Sequence, residues 1–163
     1  MKLDELYNLY FQDIYRFLVS LSRDPYTAED LVQETFYRAY VYLENYKSGN
    51  VKSWLFTVAR NVFIDHYRKQ RREVVTEQSF FTRVFDRKLA IEDQILISEE
   101  VDYLLKLLGE IPPEQRMAII LRDFHDFSYE EASEIMEVSL ANFKVLLYRG
   151  RQRIRKRRNE QDD

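Results

Sequence analysis

Only three glycines (Gly49, Gly109, Gly150) and three prolines (Pro25, Pro112, Pro113) punctuate a chain of 163 residues. A β-sandwich or barrel needs turn chemistry about every 8–12 residues, so a sequence this poor in breakers is confined to long helices joined by few turns. With 45% hydrophobic residues it has apolar material for one sizeable core or two small ones, which excludes disorder as the main state.

The apolar spacing agrees. Leu3, Leu6, Tyr7, Tyr10, Phe11, Ile14, Phe17, Leu18 and Leu21 predict an amphipathic helix over 4–22, with Asp4 as its N-cap and Arg23-Asp24-Pro25 as its end. Thr27, with Asp30 three residues on, resembles a capping box. It opens a second helix, with the stripe Leu31, Val32, Phe36, Ala39, Tyr40, Leu43 and a stop at Lys47-Ser48-Gly49-Asn50. A third helix, over 52–70, turns Trp54, Leu55, Val58, Ala59, Val62 and Phe63 inward. From Glu73 to Asp93 the periodicity fails around an unplaced Phe80-Phe81, which reads as a linker.

Helical spacing resumes through Ile91, Ile95, Val101, Leu104, Leu105 and Leu108, with Gly109 as a C-cap before the Pro112-Pro113 break. A helix from Pro113 to Phe124 follows. Ser128-Tyr129-Glu130-Glu131 is a capping box for a short helix ending near Met136, and Ser139 caps a last helix that begins at Leu140. Two helices about three residues apart have helix-turn-helix spacing. The expected fold is all-α: two small helical domains, 1–72 and 95–158, joined by a flexible linker over 73–94.

The net charge of −3 hides a partition. Residues 1–50 hold 5 Lys/Arg against 8 Asp/Glu, residues 51–72 hold 6 against 1, residues 73–142 hold 6 against 16, and residues 143–163 hold 8 against 3. Two basic blocks can supply the local positive potential that a polyanion needs, since each neutralised phosphate releases counterions. The acidic blocks suit a basic partner surface, or keep the free chain off nonspecific DNA.

Several classes of function are excluded or disfavoured. There is no cysteine, so disulfides and thiolate metal sites are absent, and His66 and His125 are too far apart in sequence to form a local ligand pattern. No Gly-rich phosphate loop or nucleophile motif occurs. Neither metal nor cofactor is expected, nor an enzyme. The start is acidic, without an apolar leader, and no stretch approaches a membrane span, so a cytoplasmic location is expected.

Three constellations remain. The last helix carries Leu140, Phe143, Leu147 and Ile154 on one side. Asn142, Lys144, Tyr148, Arg149 and Arg151 lie elsewhere on it, and Arg153 through Arg158 continue the charge. Asn and Lys near its start suit base edges in the major groove, and guanidinium groups farther along suit phosphates. In the third helix, Asn61, Tyr67, Arg60, Asp65, Arg68 and Lys69 mix amide, aromatic and charged groups, the chemistry that holds unstacked bases and their backbone. Trp54 and Phe63 fit the apolar stripe and belong to the core. In the second helix, Asp30, Gln33 and Glu34 lie within one turn beside the apolar Leu31 and suit an open protein-binding surface better than a catalytic carboxylate pair.

Taken together, these segments resemble the extracytoplasmic-function (ECF) subfamily of bacterial sigma-70 factors. Ala28–Tyr40 resembles family region 2.2, Ser53–Asn61 resembles region 2.3 passing into 2.4, and Phe127–Arg151 resembles region 4.2. Phe143-Lys144 and Arg149-Gly150-Arg151-Gln152-Arg153 resemble the sigma-M type of Gram-positive bacilli.

The resemblance implies a promoter-specificity subunit of core RNA polymerase, bound at the β′ clamp and β flap. By it, Asp30, Leu31, Gln33 and Glu34 dock on the β′ clamp. Asn61 captures a flipped minus-10 base, surrounded by Arg60, Asp65, Tyr67, Arg68 and Lys69, and Asn142, Lys144, Tyr148, Arg149 and Arg151 meet the duplex minus-35 element. It also implies an envelope-stress role, control by a membrane-anchored anti-sigma factor without insertion of this chain, and an acidic linker (Glu73, Glu77, Asp86, Glu92, Asp93) threading a basic channel of the polymerase.

Two departures stand out. Many relatives enter the recognition helix through Pro-Xaa-Gly-Thr-Val, where this chain has Ser139-Leu140-Ala141-Asn142-Phe143, and Leu146 occupies a position where many have Arg. The competing expectation is a stand-alone helix-turn-helix regulator, which would need a dimerisation element to match two half-sites, and no heptad run supplies one. A small helical nucleic-acid enzyme would need the ligand or nucleophile constellation that is missing.

Overall fold

The computed structural model describes residues 2–43, 46, 49–72 and 99–162. All regular structure among them is helical, and the chain divides into two compact units, Met1–Ile97 and Ser98–Asp163. The expected linker and its Phe80-Phe81 lie outside the described residues, as do Ile91 and Ile95.

In the first unit, α1 (Leu3–Ser22), α2 (Pro25–Tyr42) and α3 (Val51–Arg72) pack pairwise on one another. Leu6, Ile14, Phe17, Leu18, Leu21, Ala28, Leu31, Val32, Phe36, Leu55, Phe56, Ala59 and Val62 form the core. Phe17 and Phe56, both fully buried with ring centroids 4.9 Å apart, tie α1 to α3. Truncating either to alanine would cost about 3–5 kcal/mol.

The helix starts differ from the capping expectations. Asp4 lies inside the first turn, where its charge suits the helix dipole, and Lys2 is the N-cap residue without a side-chain bond. Thr27 is not a cap either. Asp24 caps α2, accepting from the Tyr26 N–H at 3.2 Å and the Thr27 hydroxyl at 2.7 Å, with Pro25 at the first helical position. Arg23 ends α1 in the left-handed conformation (φ 58°), its N–H on the Val19 carbonyl at 2.7 Å.

Inward faces shift slightly from expectation. Tyr40 is exposed, and Thr35 takes the buried place on α2 by returning its hydroxyl to the Leu31 carbonyl at 2.6 Å. In α3, Phe56 is fully buried while Trp54 and Val58 are half-buried. Trp54 packs on Tyr46, whose hydroxyl donates to the Gly49 carbonyl and closes the turn before α3.

The second unit comprises α4 (Glu99–Gly109), α5 (Pro113–Ile119) running into a π-helical turn (Ile120–Phe124), α6 (Tyr129–Met136) and α7 (Leu140–Asp162). Its core holds Leu107, Leu108, Ile111, Met117, Ile119, Ile120, Leu121, Phe127, Ile135, Met136, Phe143, Leu146 and Leu147.

Gly109 does not act as a left-handed cap. It stays helical, and Arg116 covers the end of α4 by donating to the carbonyls of Leu108 at 2.8 Å, Gly109 at 3.4 Å and Ile111 at 3.2 Å. The helix expected over Pro113–Phe124 widens at Ile120, where the His125 N–H bonds the Ile120 carbonyl at 3.2 Å. The Ser128 box is as expected: Ser128 Oγ accepts from the Glu131 N–H, and the Glu131 carboxylate from the Ser128 N–H, both at 3.1 Å. Ser139 Oγ accepts from the Asn142 N–H at 3.1 Å and so caps α7.

Gly150, in the middle of α7, sits where a side chain has no room. A Cβ there would lie 2.9 Å from Ile119 Cδ1 and 3.2 Å from both the Gln115 Cβ and its carbonyl oxygen. A glycine inside a helix is unfavourable by itself, and here it lets α5 and α7 cross closely.

Candidate polymerase and nucleic-acid interfaces

On α2, positions 30, 33, 34 and 37 recur at helical spacing, and Asp30, Gln33, Glu34 and Tyr37 are all exposed. Leu31, grouped with them by sequence, is 4% exposed and faces the core, because one residue along a helix turns the side chain by about 100°. It therefore leaves the docking set.

Glu34 is joined to the next helix through a residue the sequence reading passed over. Arg38 Nε donates to Glu34 Oε1 at 3.0 Å, and Arg38 Nη1 donates to Asp65 Oδ2 at 2.9 Å. Burial acts to lower the Arg38 pKa, but its hydrogen bonds to Asp65 and Glu34 outweigh this and hold it above the ordinary value. The Glu34–Arg38 step is an i,i+4 pair readable in principle from sequence; the bond to α3 is not.

Along α3, Asn61, Asp65 and Arg68 fall on one face at four- and three-residue steps. Asn61 is half-buried and accepts from Arg60 Nη1 at 3.2 Å, while Asp65, Arg68 and Lys69 are exposed. Tyr67 is exposed, its ring 6.1 Å from that of buried Phe63, with the Arg71 guanidinium 5.6 Å from its centroid. Asn61, Asp65 and Arg68 thus share one face of α3, while Tyr67, with Arg71, lies about a third of a turn around the helix from Asn61.

In the second unit, α6 and α7 form the helix-turn-helix pair. The turn passes through Glu137 in the left-handed region (φ 58°). Asn142, Lys144, Tyr148 and Arg149 are exposed on α7, Tyr148 at 65%, and Arg151 is half-buried. A groove of about 340 Å³ runs between Tyr129 and α7, lined by Lys144, Tyr148, Arg151 and Arg155 among others.

Tyr129 organises that groove, with the Arg122 guanidinium 5.1 Å and the Lys144 ammonium 6.0 Å from its ring centroid. Arg151 is held bidentately by Asp123, at 2.5 and 3.2 Å, and this bond raises its pKa above the ordinary value. Neither Asp123 nor Tyr129 was marked by sequence, since their partners lie 28 and 15 positions away. Leu146 is 9% exposed and belongs to the core, so the position where many relatives have Arg is turned inward here.

No group of three or more potential metal ligands occurs among the described residues, and none of their helices is long and apolar enough to cross a membrane.

Comparison with known proteins gives the family of both units. Residues 6–73 match the family model for Sigma-70 region 2, and residues 102–154 match that for Sigma-70, region 4. The chain is 42% identical to ECF RNA polymerase sigma factor SigM of Bacillus subtilis, over 95% of this chain and 94% of that protein. It is 31% identical to SigX of the same organism, over 93% of this chain and 80% of that one. Among solved structures it is similar to the sigma factor RpoE of Bartonella quintana, in complex with the anti-sigma factor NepR, with a TM-score of 0.73, 28% identity and 94% of each chain covered. With both sigma regions matched and this identity over nearly the whole chain, the protein belongs to the ECF subfamily of sigma-70 RNA polymerase sigma factors.

Proposed function

We propose that this sigma factor docks on core RNA polymerase through Asp30, Gln33 and Glu34 of α2, and captures an extruded minus-10 base at Asn61 of α3. We further propose that it reads the minus-35 duplex with Asn142, Lys144, Tyr148 and Arg149 of α7, assisted by Arg151. The observation that supports this reading is the contact of α2 with α3, by which the exposed Asp30, Gln33 and Glu34 lie in the same packed unit as Asn61 and the cations of α3.

The factor performs no bond chemistry. Base capture offsets an unstacking cost of a few kcal/mol, so opening is driven by binding energy. The basic face of α7 supplies sequence-independent phosphate attraction, and the start of the helix, capped by Ser139, carries Asn142 and Lys144 for base edges, with Tyr148 and Arg149 two turns on.

The neighbour bound to NepR supports an anti-sigma partner for this chain as well. Such a partner would be membrane-anchored and release the factor, from the cytoplasm, under envelope stress. The residues of 73–94 link the two domains.

The test is in vitro transcription with sigma-free core polymerase on a pooled promoter library, with start sites sequenced. Chain-dependent starts sharing two spaced motifs are expected. No new starts, with duplex DNA still shifted in a gel, would instead favour a stand-alone regulator. In the same assay Asn61→Ala should impair opening more than closed-complex binding, and equal loss of both would reject base capture at Asn61.

A further inference from the structure

Arg38 lies between two carboxylates on different helices. Glu34, on its own helix, lies in the docking face of α2, and Asp65, on α3, stands one helical turn from Asn61 on the same face. Asp65 is exposed, its side chain at 56%, so its charge faces solvent on the side of α3 that also carries Asn61. An unpaired carboxylate there would repel phosphates and weaken capture of a base at Asn61. A guanidinium can serve both carboxylates because its donors form a rigid fork, which an ammonium cannot match.

We propose that Arg38 is a positioning residue that neutralises Asp65 beside the minus-10 face and, through the bond it shares with Glu34, ties DNA opening to core docking. It touches neither base nor phosphate. When a basic surface of the polymerase takes up Glu34, the guanidinium is left wholly to Asp65, and the negative potential at Asn61 falls. By linkage, occupied DNA favours the docked state in return. This role rests on the initiation reading above.

The test uses the full chain with core polymerase at a promoter the wild-type chain opens, reading permanganate reactivity of the melted thymines together with core affinity. Arg38→Gln, which keeps a long polar side chain without the charge, should lower bubble formation about fivefold, the size of effect expected for a partly exposed ion pair. Core affinity should change by less than about twofold, a shift of under 0.5 kcal/mol.

Adding Asp65→Asn in the Arg38→Gln background should restore opening, because the uncompensated charge is gone. A purely structural ion pair predicts instead a lower melting temperature for the single variant and no restoration. Normal opening by Arg38→Gln, or failure of Asp65→Asn to restore it, would overturn the proposal while leaving the sigma function intact. A wild-type chain that opens no promoter overturns the initiation reading, and this role with it.

Discussion

Arg151 and Asp123 lie 28 residues apart and meet through two parallel hydrogen bonds, Nη2 to Oδ1 at 2.5 Å and Nε to Oδ2 at 3.2 Å. A cation on the helix proposed to read the minus-35 element is thereby already paired with a carboxylate in the free chain. The carboxylate aims the guanidinium and at the same time competes with DNA for it. Asp123→Ala should tighten binding to mixed-sequence duplex and steepen its salt dependence by up to about one unit of slope, as one more cation becomes available for counterion release. Fluorescence anisotropy of the full chain across a salt series checks this, and an unchanged slope would show that Arg151 contributes no phosphate contact.

Reversing the charge of the α2 face should act on polymerase rather than on DNA. Asp30→Lys with Glu34→Lys is expected to weaken core binding at least tenfold, since like charges then face a basic partner surface. Nonspecific duplex binding by the free chain should not fall. A pull-down with sigma-free core that retains wild-type affinity would reject this face as the docking site.

The close crossing at Gly150 gives a packing prediction. Alanine there gains about 1 kcal/mol of helix propensity but meets the Gln115 backbone carbonyl at 3.2 Å, so its net effect is small or unfavourable. Gly150→Val adds two more carbon atoms to the same contact and should destabilise the second unit by about 2 kcal/mol or more. Thermal unfolding followed by circular dichroism checks the sign, and a raised melting temperature for the valine variant would contradict the crossing.

Caps and strained turns carry opposite signs. Ser128→Ala removes the acceptor for the Glu131 N–H and should cost about 1 kcal/mol in the unit that holds the helix-turn-helix. Arg23→Gly relieves a left-handed residue at the end of α1 and should add about 0.5–1 kcal/mol to the first unit. Denaturant unfolding of the two variants should therefore move in opposite directions, and movement of both the same way would contradict the assigned cap or the strained turn.

Much of the architecture is local and therefore visible in the chain. Helix periods, the Ser128–Glu131 box, the Ser139 cap and the charge partition depend on residues within a few positions of each other, and they appear in the structure where spacing put them. The exposed Asp30, Gln33 and Glu34 and the buried Phe143 and Leu147 likewise follow from the helical period alone. Three local expectations differ from the structure: Lys2 rather than Asp4 precedes α1, Gly109 stays helical, and Asp24 rather than Thr27 caps α2. Asp24 and Thr27 could each have capped α2, and the proline at position 25, which fixes the first helical residue, decided for Asp24.

The helices, most of their inward faces and the division of charge between them are settled within one or two turns of chain, and so are legible without the fold. How those faces are wired to one another is set by packing between distant segments. Arg38 bridging Glu34 to Asp65, Arg116 covering the end of α4, Asp123 holding Arg151 and Gly150 admitting Gln115 depend on packing between segments. The spacing of a chain encodes which way a side chain points along its own helix. Which partner waits there is a property of how the helices cross.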